Sequence, residues 1–234
     1  MHAALMAIAA ASLISAAPEA TSNAKVRVLI VTGVDHEVHS WKQTAPILRD
    51  VLERDPRLEA RVVEDPEFLA SPAIDDYDVI LLHFKNQQPL RHEAEIRKNL
   101  VDFVQKGKGL AVVHFACGAF EDWPEFADLA GKVWDGKTSH DPRGPFQVKI
   151  VDPNHPITRG MTDFEADDEL YICLVGQRPV DVLATARSKV TGKDHPMAFS
   201  FDYGNGRVFH TPLGHDPKSI ETPGVAELLR RGCL

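Results

Sequence analysis

Three runs constrain this chain most: Lys25–Thr32 (KVRVLIVT), Tyr77–His83 (YDVILLH) and Gly109–His114 (GLAVVH). Each is apolar almost without a break and rich in Val, Leu and Ile. A strand with one wet face alternates polar and apolar residues, whereas an unbroken apolar strand is covered on both faces. Two-sided burial predicts a parallel sheet between helical layers. The segments between the runs fit that plan. Trp41, Ala45, Leu48, Val51 and Leu52 recur near helical spacing over Trp41–Arg54, with Ser40 as candidate N-cap. Leu58–Val63 reads as a further strand. Glu93–Gln105 puts Ile96, Leu100, Phe103 and Val104 on one helical face, and Gly107 stops it. The order is βαββαβ.

The second half is cut into shorter pieces. Trp123–Leu129 reads as a short helix with Pro124 near its first turn. Gln147–Val151, Asp181–Thr185, Met197–Phe201 and Arg207–Thr211 read as short strands. Gly204-Asn205-Gly206 has the residues of a hairpin turn, since they tolerate positive φ. Thr222–Arg231 is a final helix with Pro223 in its first turn. No repeat and no linker divides residues 25–234, so one three-layer α/β domain with a mainly parallel central sheet is expected. A chain of 234 residues suffices for that core.

Residues 1–24 carry one charged side chain, Glu19, and an apolar run from Ala3 to Ile14. Small residues follow at Ser15-Ala16-Ala17. The segment reads as a secretory signal peptide, which predicts a periplasmic or secreted protein. The run is too short to span a membrane. A net charge of -8 disfavours nucleic acid as a partner. Cys117, Cys173 and Cys233 are far apart and form no CxxC, so neither a disulfide framework nor a cysteine zinc site is expected. No glycine-rich phosphate loop follows the first strand, so no nucleotide is expected.

The eleven histidines carry the functional signal. Ligands of open α/β sheets bind at the carboxyl ends of strands. His36 follows the first strand, His83 ends the third, His114 ends the fourth, and His215 follows the last. Four segments distant in sequence thus bring histidine to one sheet edge. His140 and the acidic run Asp167-Asp168-Glu169 join them, with Glu169 as the inward carboxylate. Two chemistries suit such a set. His36, His114, His140 and His215 could ligate a divalent metal such as zinc. His114, His215 and Glu169 could instead act as acid–base catalysts on a polyol or keto-sugar. The residues leave both open. His36-Glu37-Val38-His39 is not HExxH, because its second histidine comes one residue early and in a loop. Trp41, Trp123 and His83 are candidate substrate contacts, since aromatic rings near a site stack on sugars. Cys117 follows the fourth strand, but Phe115 and Ala119 stand where a nucleophile elbow needs glycine. A small buried thiol is expected there.

Taken in order, these segments resemble the ThuA-like (trehalose utilisation) family. The resemblance rests on Val31-Thr32-Gly33 with His36 and Trp41, on Gly109–His114, and on Trp123-Pro124-Glu125-Phe126. It continues through His140, His155-Pro156-Ile157-Thr158-Arg159-Gly160 and Asp168-Glu169-Leu170-Tyr171. His195-Pro196-Met197-Ala198, Gly204–Phe209 and Leu213-Gly214-His215 complete it. It implies a flavodoxin-like fold akin to class I glutamine amidotransferases. It also implies a role in carbohydrate use on a small-molecule sugar, alongside oxidoreductases that make 3-keto-sugars. Glutamine hydrolysis is not expected, because the elbow glycines are missing and no Glu stands two residues after His215. A non-catalytic sugar- or partner-binding module on the same scaffold is the alternative.

Overall fold

The long apolar runs lie side by side in the computed structural model, which describes residues 24–137 and 139–234. The signal-peptide segment falls outside the described residues, apart from Ala24. The chain forms β1 (Val26–Val31), α1 (Trp41–Glu53), β2 (Leu58–Val63), β3 (Val79–Leu82), α2 (Glu93–Gln105) and β4 (Gly109–Val113). A 3₁₀ turn at His114–Gly118 leads to α3 (Phe126–Ala130) and β5 (Val133–Trp134). Then come β6 (Gly144–Ile150), β7 (Phe164–Asp168), β8 (Leu174–Val175), β9 (Asp181–Arg187), β10 (Asp194–Tyr203) and β11 (Gly206–Thr211). Helices α4 (Pro217–Glu221) and α5 (Pro223–Gly232) close the chain.

One nine-stranded sheet runs β2-β1-β3-β4-β11-β10-β9-β6-β7. Five neighbours, from β2 to β11, are parallel. The other four strands extend the sheet antiparallel. The expected parallel character thus holds for one half of the sheet. In the other half no helix stands between successive strands from β6 to β11, and strands joined without a crossover helix pair antiparallel. Gly204 and Asn205 form the two-residue turn between Tyr203 and Gly206, with Gly204 at φ +62.

Successive residues of the parallel strands face opposite sides, which explains why the runs are apolar throughout. Val28 and Ile30 pack with Leu48 and Val51 of α1, and with Ile220 and Leu228 of α4 and α5. Leu29 and Val31 pack with Ile96, Leu100 and Phe103 of α2 on the other face. Burying one such side chain stabilises the fold by about 1.5–3 kcal/mol.

Two local expectations shift. Ser40 sits at the N-cap of α1, but its hydroxyl makes no capping bond. Its carbonyl instead accepts the Gln43 and Thr44 N–H groups. Helix α3 starts later than expected, because Trp123 belongs to a turn that bonds back to Phe120. Among the described residues no helix is long and apolar enough to cross a membrane.

Candidate active site

Helix α1 follows β1 on one face of the sheet, and α2 follows β3 on the other. Their loops therefore part above the carboxyl ends of adjacent strands, where α/β folds bind ligands. Gly33 makes the exit from β1 possible. Its φ is +107, and a Cβ there would lie 2.0 Å from the Glu64 carbonyl oxygen. The chain then passes His36 and brings His39 inward. The His39 ring stacks on Phe115 with centroids 4.5 Å apart and planes 3° from parallel.

β4 ends at Val113, and the next residue, His114, has φ +51. A non-glycine residue pays strain in that region and persists there only where its surroundings hold it. Its Nδ1 lies 2.7 Å from the Pro212 carbonyl oxygen. A strained strand-to-helix junction is also where α/β hydrolases expose their nucleophile. Cys117 is not in that strained region; the residue that is, His114, carries an imidazole three positions earlier.

His114 is fully buried and is the hub. Its Nε2 lies 3.1 Å from His39 Nε2, 3.3 Å from His215 Nδ1, 3.1 Å from the Tyr171 hydroxyl and 3.6 Å from Glu169 Oε2. Glu169 Oε2 is also 3.2 Å from His215 Nδ1. One donor atom from each of His39, His114, Glu169 and His215 lies within 4.8 Å of the others.

Asp168 holds the two halves of this cluster in place. Fully buried at the end of β7, it accepts N–H bonds from Glu169, Gly214 and His215. One carboxylate thereby fixes the backbone of both Glu169 and His215.

Of the residues the sequence singled out, His114, His215 and Glu169 meet directly. His36 and His140 stand one step back rather than among the four converging donors. His36 Nδ1 is 3.0 Å from His39 Nδ1, and His140 Nε2 is 3.5 Å from Glu169 Oε1. The loop geometry decides this: the residue that turns inward is His39, three positions after His36. His83 lies beneath the cluster. It is fully buried, with its ring edge-on to Phe115 and the Thr32 hydroxyl 3.4 Å from its Nδ1. Trp41 is buried and bonds Asp35 through its indole N–H. Trp123 is buried among Phe120, Phe126 and the Arg97 guanidinium, so its faces are already covered. Neither tryptophan joins the cluster. Trp134 is nearer, edge-on to Tyr171.

His39 and Tyr171 were missed, and the role of Asp168 was not assigned. His39 had a signal, its i,i+3 spacing from His36, but only within a helical motif it does not form. Tyr171 follows the acidic run with no pattern to mark it as a site residue. Asp168 lay in that run, and no local pattern separates a clamp from a surface carboxylate.

Charge in the cluster is uneven. Burial, with the neighbouring imidazoles His114 and His36, drives His39 down to about 2. Burial lowers His114 to about 4 against the pull of the Pro212 carbonyl and Glu169. Both rings are therefore neutral near pH 7. The hydrogen bond to Glu169 raises His215 above the ordinary histidine value despite its burial. Burial works to raise Glu169, but the His215 bond and the surrounding imidazoles hold it below the usual carboxylate range. Burial pushes Asp168 up to about 6, against its three N–H bonds. Cys117 is fully buried, and burial pushes its thiol far above the ordinary value. A thiol nucleophile needs the opposite.

Sheet order, strained junction and ligand edge together define an α/β fold of the glutamine amidotransferase type with a histidine–carboxylate site. The fold resembles a glutamine amidotransferase from Thermotoga maritima at TM-score 0.50 and 15% identity, over 80% of this chain and 74% of that one. The chain belongs to the ThuA family, described as trehalose utilisation, whose model matches residues 27–234. It is similar to a ThuA-like protein from Parabacteroides merdae ATCC 43184, at 26% identity and TM-score 0.78 over 89% of this chain and 88% of that one. A ThuA-like protein from Bacteroides uniformis ATCC 8492 aligns at 18% identity and TM-score 0.70 over 93% and 94%. No curated protein is similar enough to count as a match. The family gives the chain a role in carbohydrate utilisation.

Proposed function

We propose that this chain is an enzyme of carbohydrate utilisation that acts on a sugar or keto-sugar at the His114–Glu169–His215 cluster. The observation that carries this is the convergence of three segments on one point. His114 follows β4, His215 follows β11, and Glu169 follows β7. A hydroxyl beside a carbonyl needs a base to take a proton and an acid to return it. Glu169, held ionised, is the acceptor, and His215, whose affinity for a proton Glu169 raises, is the donor. His114 holds both in register from a rigid strand end. Tyr171 adds a hydroxyl at the same point.

The rival is a module that binds sugar without turning it over. Trp123, the aromatic ring first expected to stack on a sugar, has its faces already covered, which removes one support for that reading. The test is to incubate the protein with trehalose and with 3-keto-disaccharides in D₂O and follow them by NMR. Deuterium uptake or conversion of a keto-sugar, lost in His114→Ala, is the expected result. Saturable binding without any chemical change would hand the site to the binding module.

A further inference from the structure

The tautomers of the cluster can be worked out from its fixed neighbours. The Val38 backbone N–H donates to His36 Nδ1, so that nitrogen carries a lone pair. His39 Nδ1, 3.0 Å away, must then be the N–H that donates to it. In the neutral ring this leaves His39 Nε2 as a lone pair. His114 Nδ1 faces the Pro212 carbonyl oxygen, which can only accept, so it too is an N–H. His114 Nε2 is therefore also a lone pair. These two lone pairs point at one another across 3.1 Å. The Glu169 carboxylate, an acceptor as well, lies 3.6 Å from His114 Nε2. The Tyr171 hydroxyl can donate its one proton to His114, but His39 Nε2 still faces an acceptor. Electron pairs that converge without protons between them call for a cation.

The spacing also fits. Four ligands at 2.0–2.1 Å in a tetrahedron lie about 3.3 Å apart. The four separations His39–His114, His114–His215, His215–Glu169 and Glu169–His114 are 3.1, 3.3, 3.2 and 3.6 Å. The contacts from His39 to the other two donors are within 4.8 Å, so the site is widest on that side. The second shell is built as metal sites need it. His114 is oriented by Pro212, His39 by His36, and the Glu169 and His215 backbones by Asp168.

We infer that His39, His114, Glu169 and His215 form a binding site for one divalent transition-metal cation of the zinc type. Three imidazoles and one carboxylate select such an ion over calcium or magnesium, which take oxygen ligands. This differs from the ligand set expected from sequence, in which His36 and His140 took the places of His39 and Glu169. It stands on coordination geometry, independently of the substrate. With the ion bound, Glu169 and His215 would be ligands rather than base and acid, and the ion would supply Lewis-acid polarisation of a substrate oxygen in their place. His36 is then a positioning residue that fixes the tautomer of His39.

The test uses untagged full-length protein. Metal content is measured after dialysis, and stripped protein is titrated with Zn²⁺ or Co²⁺ alone. One equivalent per chain is expected. His39→Ala and the near-isosteric Glu169→Gln should each weaken binding by ~10-fold or more, at least the loss seen when outer-shell partners are removed. His36→Ala should weaken it about 10–100-fold without changing the stoichiometry. His210→Leu, a buried histidine elsewhere, should leave it unchanged. Circular dichroism confirms that each variant folds. No saturable binding of either ion, or binding that survives both His39→Ala and Glu169→Gln, overturns the inference. Either of those results, with keto-sugar turnover intact, leaves the enzymatic reading standing. Stoichiometric metal with no sugar chemistry would sink that reading alone.

Discussion

His114, just past the end of β4, and His210, within the neighbouring parallel strand β11, look alike in isolation. Both are fully buried. Each has Nδ1 against a backbone carbonyl, Pro212 at 2.7 Å and Ala130 at 3.0 Å. Burial lowers both to about 4. Their second nitrogens differ. His114, just past the end of β4, aims Nε2 at His39, His215, Glu169 and Tyr171. His210, inside β11, has no partner for Nε2 and packs against Phe199. Burial and a shifted pKa therefore do not distinguish the two. Position relative to the strand end does, because only there can loops from several strands converge.

The largest expected effect tests that contrast directly. His114→Ala should lower turnover by about 10²–10⁴-fold, the contribution of the Glu169–His215 acid–base pair that it holds in register. Histidine and alanine both pay about 1 kcal/mol or more at φ +51, so His114→Gly, which relieves that strain while removing the ring, separates chemistry from backbone strain. His210→Leu should leave turnover within several-fold. Equal losses in the His114 and His210 variants, measured as kcat/KM on the same keto-sugar, would erase the distinction.

Acid stability should show what the two histidines share. A base whose folded pKa lies below its unfolded value binds its proton more readily when unfolded. Stability is then intact above the unfolded value, ~6.5 for histidine, and falls as pH drops towards the folded value. For His210 that window runs from ~6.5 down to about 4, and a shift of that size corresponds to an upper limit of roughly 3 kcal/mol. His83, lowered to about 3 by burial and by His114, acts in the same direction. Urea unfolding at stepped pH should show stability falling below ~6.5, with a shallower fall in His210→Leu. An unchanged slope in that variant would mean that His210 is not what destabilises the protein in acid.

A smaller loss is expected at Asp168, which touches the cluster only through the backbone. Asp168→Asn keeps the shape but removes the charge that three N–H groups share, at a cost of about 1–3 kcal/mol. Because Glu169 and His215 lose a common anchor, kcat should fall more than KM changes. A variant that loses stability but keeps kcat would show Asp168 to be a fold residue only.

The legibility of the molecule follows the same division. β1, β3 and β4 could be read from unbroken apolar runs, and the bounds of α2 from its periodic face and Gly107. Those elements depend on local pattern. The antiparallel half depends on pairing, and β7 pairs with β6 through Phe164–Asp168, where no apolar run announces a strand. The site divides likewise. His114 and His215 could be found from strand ends. His39 could not be told from His36, because the turn that points one inward depends on Gly33 and on packing against Phe115. Asp168 and Glu169 were visible as an acidic run, but their separate roles depend on Gly214 and His215, some 45 residues later in the chain.

The smallest expected effect belongs to Cys117, three residues after His114 in the same turn. It is as buried as His114, yet it lies within the aromatic and aliphatic core that includes Ala116, Phe120 and Tyr171. It carries burial without convergence, which is the His210 situation in a thiol. Cys117→Ala removes one sulfur and leaves a small cavity, at about 1 kcal/mol. Turnover should stay at the wild-type level. The folded protein should also resist iodoacetamide, since all three cysteines are buried and burial disfavours the thiolate. Mass spectrometry checks this before and after denaturation. Rapid alkylation of Cys117 in the native state, with loss of turnover, would place a reactive thiol at the junction. It would also make His114 the partner of that nucleophile rather than the hub of the site.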